Sequence, residues 1–288
     1  MVGSFISSEM LMIKQKLCSF LRSQDLNVHT LETSLKKGLT SRSQRSILRR
    51  LPNPDHAPSS SSSFIDFTSN DYLSLATSPV LRTKFLKNLS EAPNVLGSGG
   101  SRLLVNGRAH ATLEERLAKF FNADAALLFN SGFDANVGFF SCIPQVGDVL
   151  VHDEYIHASV HDGMRASRVK PEEILPFEHN SVDDFGRVLE RSLNRRAELR
   201  DGKASVFIAV EALYSMDGTF APLQEMLDLL DRLFPLKNAY LIVDEAHSTG
   251  IYGPLGRGRV AMLGLEDRVF ARLHTFGKAL AATGGMSS

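Results

Sequence analysis

The sequence predicts an α/β domain built on a mostly parallel sheet flanked by helices. Three observations carry that prediction. Apolar runs of strand length recur along the chain, helical patterns separate them, and polar or glycine-bearing turns mark each change. Runs suited to buried strands lie at 125–129, 148–152, 205–211, 239–243 and 269–276. The helical patterns lie at 111–121, 133–142, 157–166, 182–193 and 223–233. Connections of helix length are what parallel neighbouring strands require.

In chain order, residues 1–63 read as a helical arm and a linker, and residues 64–288 as the main domain. Residues 1–50 hold nine Lys/Arg against three acids, a net of +6 that the remainder cancels. Leu26, Leu31, Leu35 and Leu39 recur at helical spacing, as in an amphipathic arm that packs on the body. A basic, serine-rich start also suits an organellar transit peptide, so a cytoplasmic location is expected with organelles left open. Pro52, Pro54 and Pro58 and the serines Ser59 to Ser63 form the linker, because proline interrupts regular structure and serine buries little surface.

Composition excludes several classes. With 288 residues, 43% hydrophobic and 22% charged, the chain can bury a sizeable core. Zero net charge argues against bulk attraction to nucleic acid. The apolar runs fall short of a membrane span. Cys18 and Cys142 are far apart and lack metal spacing, so neither a disulfide framework nor a metal site is expected.

In this architecture ligands sit at the carboxyl ends of the strands. The first strand is followed by Asn130-Ser131-Gly132-Phe133, where a helix N-terminus offers free N–H groups to an anion. The second is followed by His157, suited to stacking on a flat ring or to proton transfer. The third ends at Glu211 and leads to Ser215, a hydrogen-bond donor, and to the turn Asp217-Gly218. The fourth ends in Asp244-Glu245-Ala246-His247. An acid closing an apolar strand is costly without a partner, which marks Asp244. No Gly-rich loop of the Gly-x-x-x-x-Gly-Lys type accompanies it, so a nucleotide-hydrolase reading fails. The fifth leads to Thr275-Phe276-Gly277-Lys278, and a lysine in such a crevice can become an amine nucleophile. An amine, a buried carboxylate, two histidines and an anion-binding helix end together suit pyridoxal 5'-phosphate.

The ordered set resembles the α-oxoamine synthase family of fold-type I pyridoxal-phosphate enzymes. It runs through Ser69-Asn70-Asp71-Tyr72-Leu73, Gly97-Ser98-Gly99-Gly100-Ser101-Arg102, His110 with Leu113-Glu114, Ser131-Gly132-Phe133 with Asn136, and His157-Ala158-Ser159. It continues through Ser215-Met216-Asp217-Gly218, Asp244-Glu245-Ala246-His247, Gly256-Arg257-Gly258 and Thr275-Phe276-Gly277-Lys278. The resemblance implies that Lys278 forms the Schiff base and later moves the α-proton. It implies that Asp244 pairs with the ring nitrogen, that His247 and Ser215 bond the phenolic oxygen, and that His157 stacks on the ring. Gly132 and Phe133, helped by Thr275, would hold the phosphate. Asn70 would lie on the substrate side, and Arg49, with Arg50 equally placed, would face the acyl substrate. The segment 97–102 would form a tight loop contributed across a dimer interface.

The implied reaction joins an amino acid to an acyl-coenzyme A with loss of carbon dioxide, giving an α-aminoketone. The implied partners are those two small molecules and a second copy of the chain, with no nucleic acid and no membrane. Two other readings stay open: a related class I/II aminotransferase-like enzyme of secondary metabolism, and an inactive fragment or partner subunit that keeps the fold. The family normally continues into a small C-terminal domain that grips the substrate carboxylate. That domain is not in these 288 residues, so weak cofactor binding and poor turnover are expected of them.

Overall fold

The computed structural model describes residues 28–51, 66–96 and 99–288. The chain divides into two compact units, Met1–Ile65 and Asp66–Ser288. In the first, helix α1 (Val28–Gln44) carries Leu31, Leu35 and Leu39, all exposed. Glu32 and Lys36, one turn apart on it, pair at 2.6 Å. Leu26, Cys18 and the proline- and serine-rich linker lie outside the described residues.

The second unit is a seven-stranded sheet with helices on both faces. Its strands are β1 (Leu127–Phe129), β2 (Val149–Asp153), β3 (Ile174–Phe177), β4 (Val206–Glu211), β5 (Ala239–Asp244), β6 (Ala271–Thr275) and β7 (Gly285–Ser287). The order is β1-β7-β6-β5-β4-β2-β3. β7 runs antiparallel to both neighbours, and the other pairs are parallel. The helices are α2 (Pro79–Glu91), α3 (Arg108–Phe121), α4 (Gly132–Cys142), α5 (Ala158–Arg165), α6 (Val182–Arg195), α7 (Ala197–Arg200), α8 (Leu223–Leu233) and α9 (Arg259–Leu263).

The central strands β4 and β5 are buried on both faces, which is why they read as apolar runs up to their terminal acids. Along β4, Val206, Ile208 and Val210 enter one core, with Phe185, Leu189, Met226 and Leu230 from α6 and α8. Phe207 and Ala209 enter the other, with Ala135, Phe140, Val160 and Met164 from α4 and α5. This alternation also decides where the strand ends point, since Glu211 and Asp244 continue the α4–α5 face.

Strands β3 and β7 and helices α2, α7 and α9 were not anticipated from the sequence. β3 contains Pro176, which a sheet tolerates because β3 is an edge strand paired only with β2. β7 is a three-residue Gly-Met-Ser segment, and it forms because β1 and β6 pair with it on either side. In α2 no residue is buried, so its apolar positions mark no core-facing stripe. Local chemistry sets its start, with Pro79 in the first turn and Ser78 Oγ accepting from Leu81 N.

Two buried charged groups fix the segments around the site. Arg272, 3% exposed as the second residue of β6, donates to the carbonyls of Phe121 at 2.8 Å and Asn122 at 3.0 Å. It thereby caps the end of α3, where Asn122 takes a left-handed φ of 53°. Glu245 turns away from its neighbour Asp244. It accepts from Ser248 Oγ, from Arg259 N at 2.9 Å and from Val260 N at 2.8 Å, holding the start of α9. Gly258 lies against that carboxyl at φ 105°, where a Cβ would stand 2.7 Å from the carboxyl carbon. Among the described residues no helix is long and apolar enough to cross a membrane.

Arg272→Ala removes two charge-assisted hydrogen bonds from a buried helix end. It should cost about 3 kcal/mol in urea unfolding, and a loss below about 1 kcal/mol would show that α3 is held by other contacts.

Candidate active site

The carboxyl ends of β4 and β5 are in register, with Glu211 beside Asp244. Asp244 is 7% exposed. Its Oδ2 accepts from Asn136 Nδ2 at 2.8 Å and its Oδ1 from Ala246 N at 2.9 Å. Both oxygens therefore face donors, as an ionised carboxylate requires out of water. Asn136 sits on α4, and its Nδ2 also donates to Ser159 Oγ at 3.0 Å. Ser159 Oγ in turn lies 2.7 Å from His157 Nδ1, which also accepts from Ser159 N at 3.2 Å as the cap of α5. A ring nitrogen that accepts from a backbone N–H carries no proton, so the neutral ring is protonated at Nε2. One hydrogen-bonded path thus joins the carboxylate to the exposed ring of His157.

A second path begins after β6. Lys278 Nζ lies 2.7 Å from His247 Nε2, His247 Nδ1 lies 2.8 Å from Tyr72 Oη, and Tyr72 O–H donates to Asn70 Oδ1 at 3.0 Å. Burial holds the Lys278 ammonium below the usual lysine range, with Asp244 and Glu211 opposing. His247 is pushed down to about 4, first by burial and then by the Lys278 charge. At neutral pH His247 is therefore uncharged. Lys278 donates to its Nε2, and its Nδ1–H donates to Tyr72, whose own proton goes on to Asn70. Burial raises the Tyr72 phenol, which keeps that proton in place.

The third component is the start of α4. Ser131 Oγ caps the helix by accepting from Asp134 N at 3.0 Å. Gly132 is pressed against β6 and β7. A Cβ there would meet the Thr275 Cβ at 2.9 Å, and one on Gly285 would meet the Gly132 nitrogen at 2.5 Å. Only glycine lets the two backbones approach this closely. The N–H groups of the first helical turn and the Thr275 hydroxyl thus come together at the positive end of the helix dipole. The Phe133 ring meets His157 edge-on, with centroids 6.2 Å apart.

Among the predicted residues, Lys278, His247 and Asn70 share direct or relayed hydrogen bonds, and the charge of Asp244 acts on Lys278 and His247. His157 is linked to Asp244 through Ser159 and Asn136, and Gly132 meets Thr275. Ser215 lies in the exposed turn after β4, and Arg49 in the first unit, exposed. Gly97 and Ser98 lie outside the described residues, while Arg102 pairs with Glu114, which accepts from Leu128 N at 2.7 Å. The sequence reading assigned no role to Tyr72, Asn136, Ser159 or Glu211. Glu211 carried the same signal as Asp244, an acid closing an apolar strand. The other three were visible only as members of motifs.

The Lys278 charge is one cause of the low His247 value, so Lys278→Met should raise the pH at which the His247 ring titrates in NMR spectra. An unchanged titration would separate the two groups.

Comparison with known proteins places this geometry. The model of the family described as aminotransferase class I and II matches residues 62–288. The chain is 50% identical over 259 residues to 8-amino-7-oxononanoate synthase of Emericella nidulans, covering 89% of this chain and 61% of that protein. It is 44% identical to aminoacyl transferase sphA of Byssochlamys spectabilis, covering 78% of this chain and 48% of that one. Among solved structures, serine palmitoyltransferase of Sphingomonas wittichii superposes with a TM-score of 0.66 at 32% identity, over 76% of this chain and 51% of that one. The chain therefore spans about half to three fifths of the length of these relatives. It belongs to the aminotransferase class I and II family, on the α-oxoamine synthase branch of its pyridoxal-phosphate enzymes.

Proposed function

We propose that the chain is the cofactor-binding part of a pyridoxal-phosphate acyltransferase, one that joins an amino acid to an acyl-coenzyme A with loss of carbon dioxide. The observation that carries this reading is the amine of Lys278, 2.7 Å from a neutral His247 and in the same crevice as the buried, donor-ringed Asp244. The residues fit the cofactor by their chemistry. A buried carboxylate calls for a cationic partner, which a protonated ring nitrogen supplies. The tight approach of Gly132 to Thr275 at a helix N-terminus suits a phosphate. The exposed ring of His157 suits a flat neighbour.

When bound, pyridoxal phosphate supplies an electron sink for the carbanion formed at the α-carbon of the amino acid. The chain's own groups do the rest. Lys278 is held partly desolvated, so it gives up its proton more readily than a surface lysine and can act as nucleophile and as α-proton carrier. His247 accepts from Lys278 through Nε2 and passes the load to Tyr72 and Asn70, which fixes the amine's direction. Asp244 remains oriented by Asn136 and Ala246 N. Ser215 and His247 are the proposed partners of the phenolic oxygen, Gly132, Phe133 and Thr275 of the phosphate, and Arg49 of the acyl substrate.

The relative 50% identical over most of the chain favours 8-amino-7-oxononanoate as product, and with it a role in biotin biosynthesis. That skeleton is what alanine and a pimeloyl thioester give on losing carbon dioxide. We also propose that a second copy covers α2 and the following loop, where Val80, Phe85, Leu96, Leu103 and Leu104 are exposed.

Borohydride reduction in the presence of pyridoxal phosphate should fix the cofactor to Lys278, as read by mass spectrometry. An adduct on another lysine, or none, would overturn the reading. Glycine, alanine and serine crossed with pimeloyl, acetyl, succinyl and long-chain acyl thioesters should release coenzyme A best with alanine and pimeloyl. Preference for serine with long chains would favour the chemistry of the structural relatives, and amino transfer without coenzyme A release would favour an aminotransferase.

A further inference from the structure

Glu211 takes no part in the scheme above, yet it stands beside the group on which that scheme depends. It ends β4 on the face of Phe207 and Ala209, as Asp244 ends β5 on the face of Ile242. The strands are parallel and the two acids are register partners. Glu211 is 4% exposed and Asp244 7%. Two carboxylates side by side and out of water do not both stay ionised. The donors decide between them, and Asp244 holds the Asn136 amide on one oxygen and the Ala246 N–H on the other. The same floor contains Asn136 Oδ1, buried and without a donor. A neutral carboxyl has a proton to offer an acceptor in such a place, and an ionised one has none.

We propose that Glu211 is a positioning residue that stays uncharged beside Asp244 and so confines the negative charge of the crevice floor to the Asp244 carboxylate. The proposal rests on the reading of Asp244 as the partner of the cofactor's ring nitrogen. The charged and polar groups facing Glu211 agree with it. Burial comes first and Asp244 second in pushing its carboxyl up to about 8, Asp153 adds to them, and Lys278 and the Ser215 N–H pull the other way. The chemical use lies at Lys278. An ionised Glu211 would draw on that lysine and hold its proton in place, whereas a neutral one leaves the amine freer to lose it.

The test is a pH titration of the 288-residue chain by infrared difference spectroscopy, with and without pyridoxal phosphate. The wild type should show the carbonyl stretch of a protonated carboxylic acid at neutral pH and lose it with a midpoint of about 8. Burial also raises Glu245, so the Glu211→Gln difference identifies the band that belongs to Glu211. Asp244→Asn removes the neighbouring charge and should lower the midpoint by about one unit or more. A cation set against Asp244 by the cofactor should move it in the same direction. A spectrum that Glu211→Gln leaves unchanged, or a midpoint that ignores Asp244→Asn, overturns the proposal.

Stability gives a second readout that does not require Asp244→Asn to fold. The folded-state value of Glu211 is raised above its ordinary 4.5. The wild type should therefore lose stability relative to Glu211→Gln as pH rises from 4.5 to about 8. Parallel stability curves would also overturn the proposal. A chain that passes these tests yet gives no borohydride adduct on Lys278 upholds the pairing of Glu211 with Asp244 and removes the cofactor reading instead.

Discussion

A carboxylate buried at the end of an apolar strand must be surrounded by donors, and the rest of the site follows from meeting that need at Asp244. Asn136 from α4 and the Ala246 N–H meet it directly. Asn136 then binds Ser159 on α5, and Ser159 orients the ring of His157. Three elements that are far apart in sequence are thereby locked to one oxygen-bearing group. Leaving that charge without its donors would cost several kcal/mol, more than most surface contacts contribute. The register of the sheet sets the remaining distances. Glu211 is adjacent on β4, and Lys278 follows β6, the strand on the other side of β5.

Neighbouring residues with the same chemistry serve opposite ends. Asp244 faces the crevice, while Glu245 faces inward and holds the start of α9, which anchors the loop bearing His247. Two cations of the β6 region also divide the work, Arg272 within the strand and Lys278 in the loop after it. The arginine closes the end of α3, and the lysine is left in the crevice beside a histidine that burial keeps neutral. The glycine pair Gly132 and Gly285 completes the arrangement by letting α4 start hard against β6 and β7.

Much of this was legible in the sequence. The β4 and β5 runs are apolar because both faces are covered, and Asp244 stands out because it ends one of them. The helices α4, α5, α6 and α8 show their period because one side is buried. What escaped detection had physical reasons. β7 owes its existence to partners and not to propensity, Pro176 disguises β3, and α2 has no buried face to impose a pattern. Tyr72 reaches His247 across 175 positions, a contact no local pattern can signal. Glu211 was the exception, because the rule that singled out Asp244 applies to it unchanged.

We propose that the Asp244 carboxylate, held in place by Asn136, is what fits this crevice for pyridoxal phosphate. The most direct measurement is an absorbance titration of the wild-type chain and Asp244→Asn with pyridoxal phosphate, with circular dichroism confirming that both are folded. The wild type should show a saturable new band, and binding should weaken roughly a hundredfold in the variant, the scale of a broken buried pair. Equal affinity in two equally folded chains would contradict it.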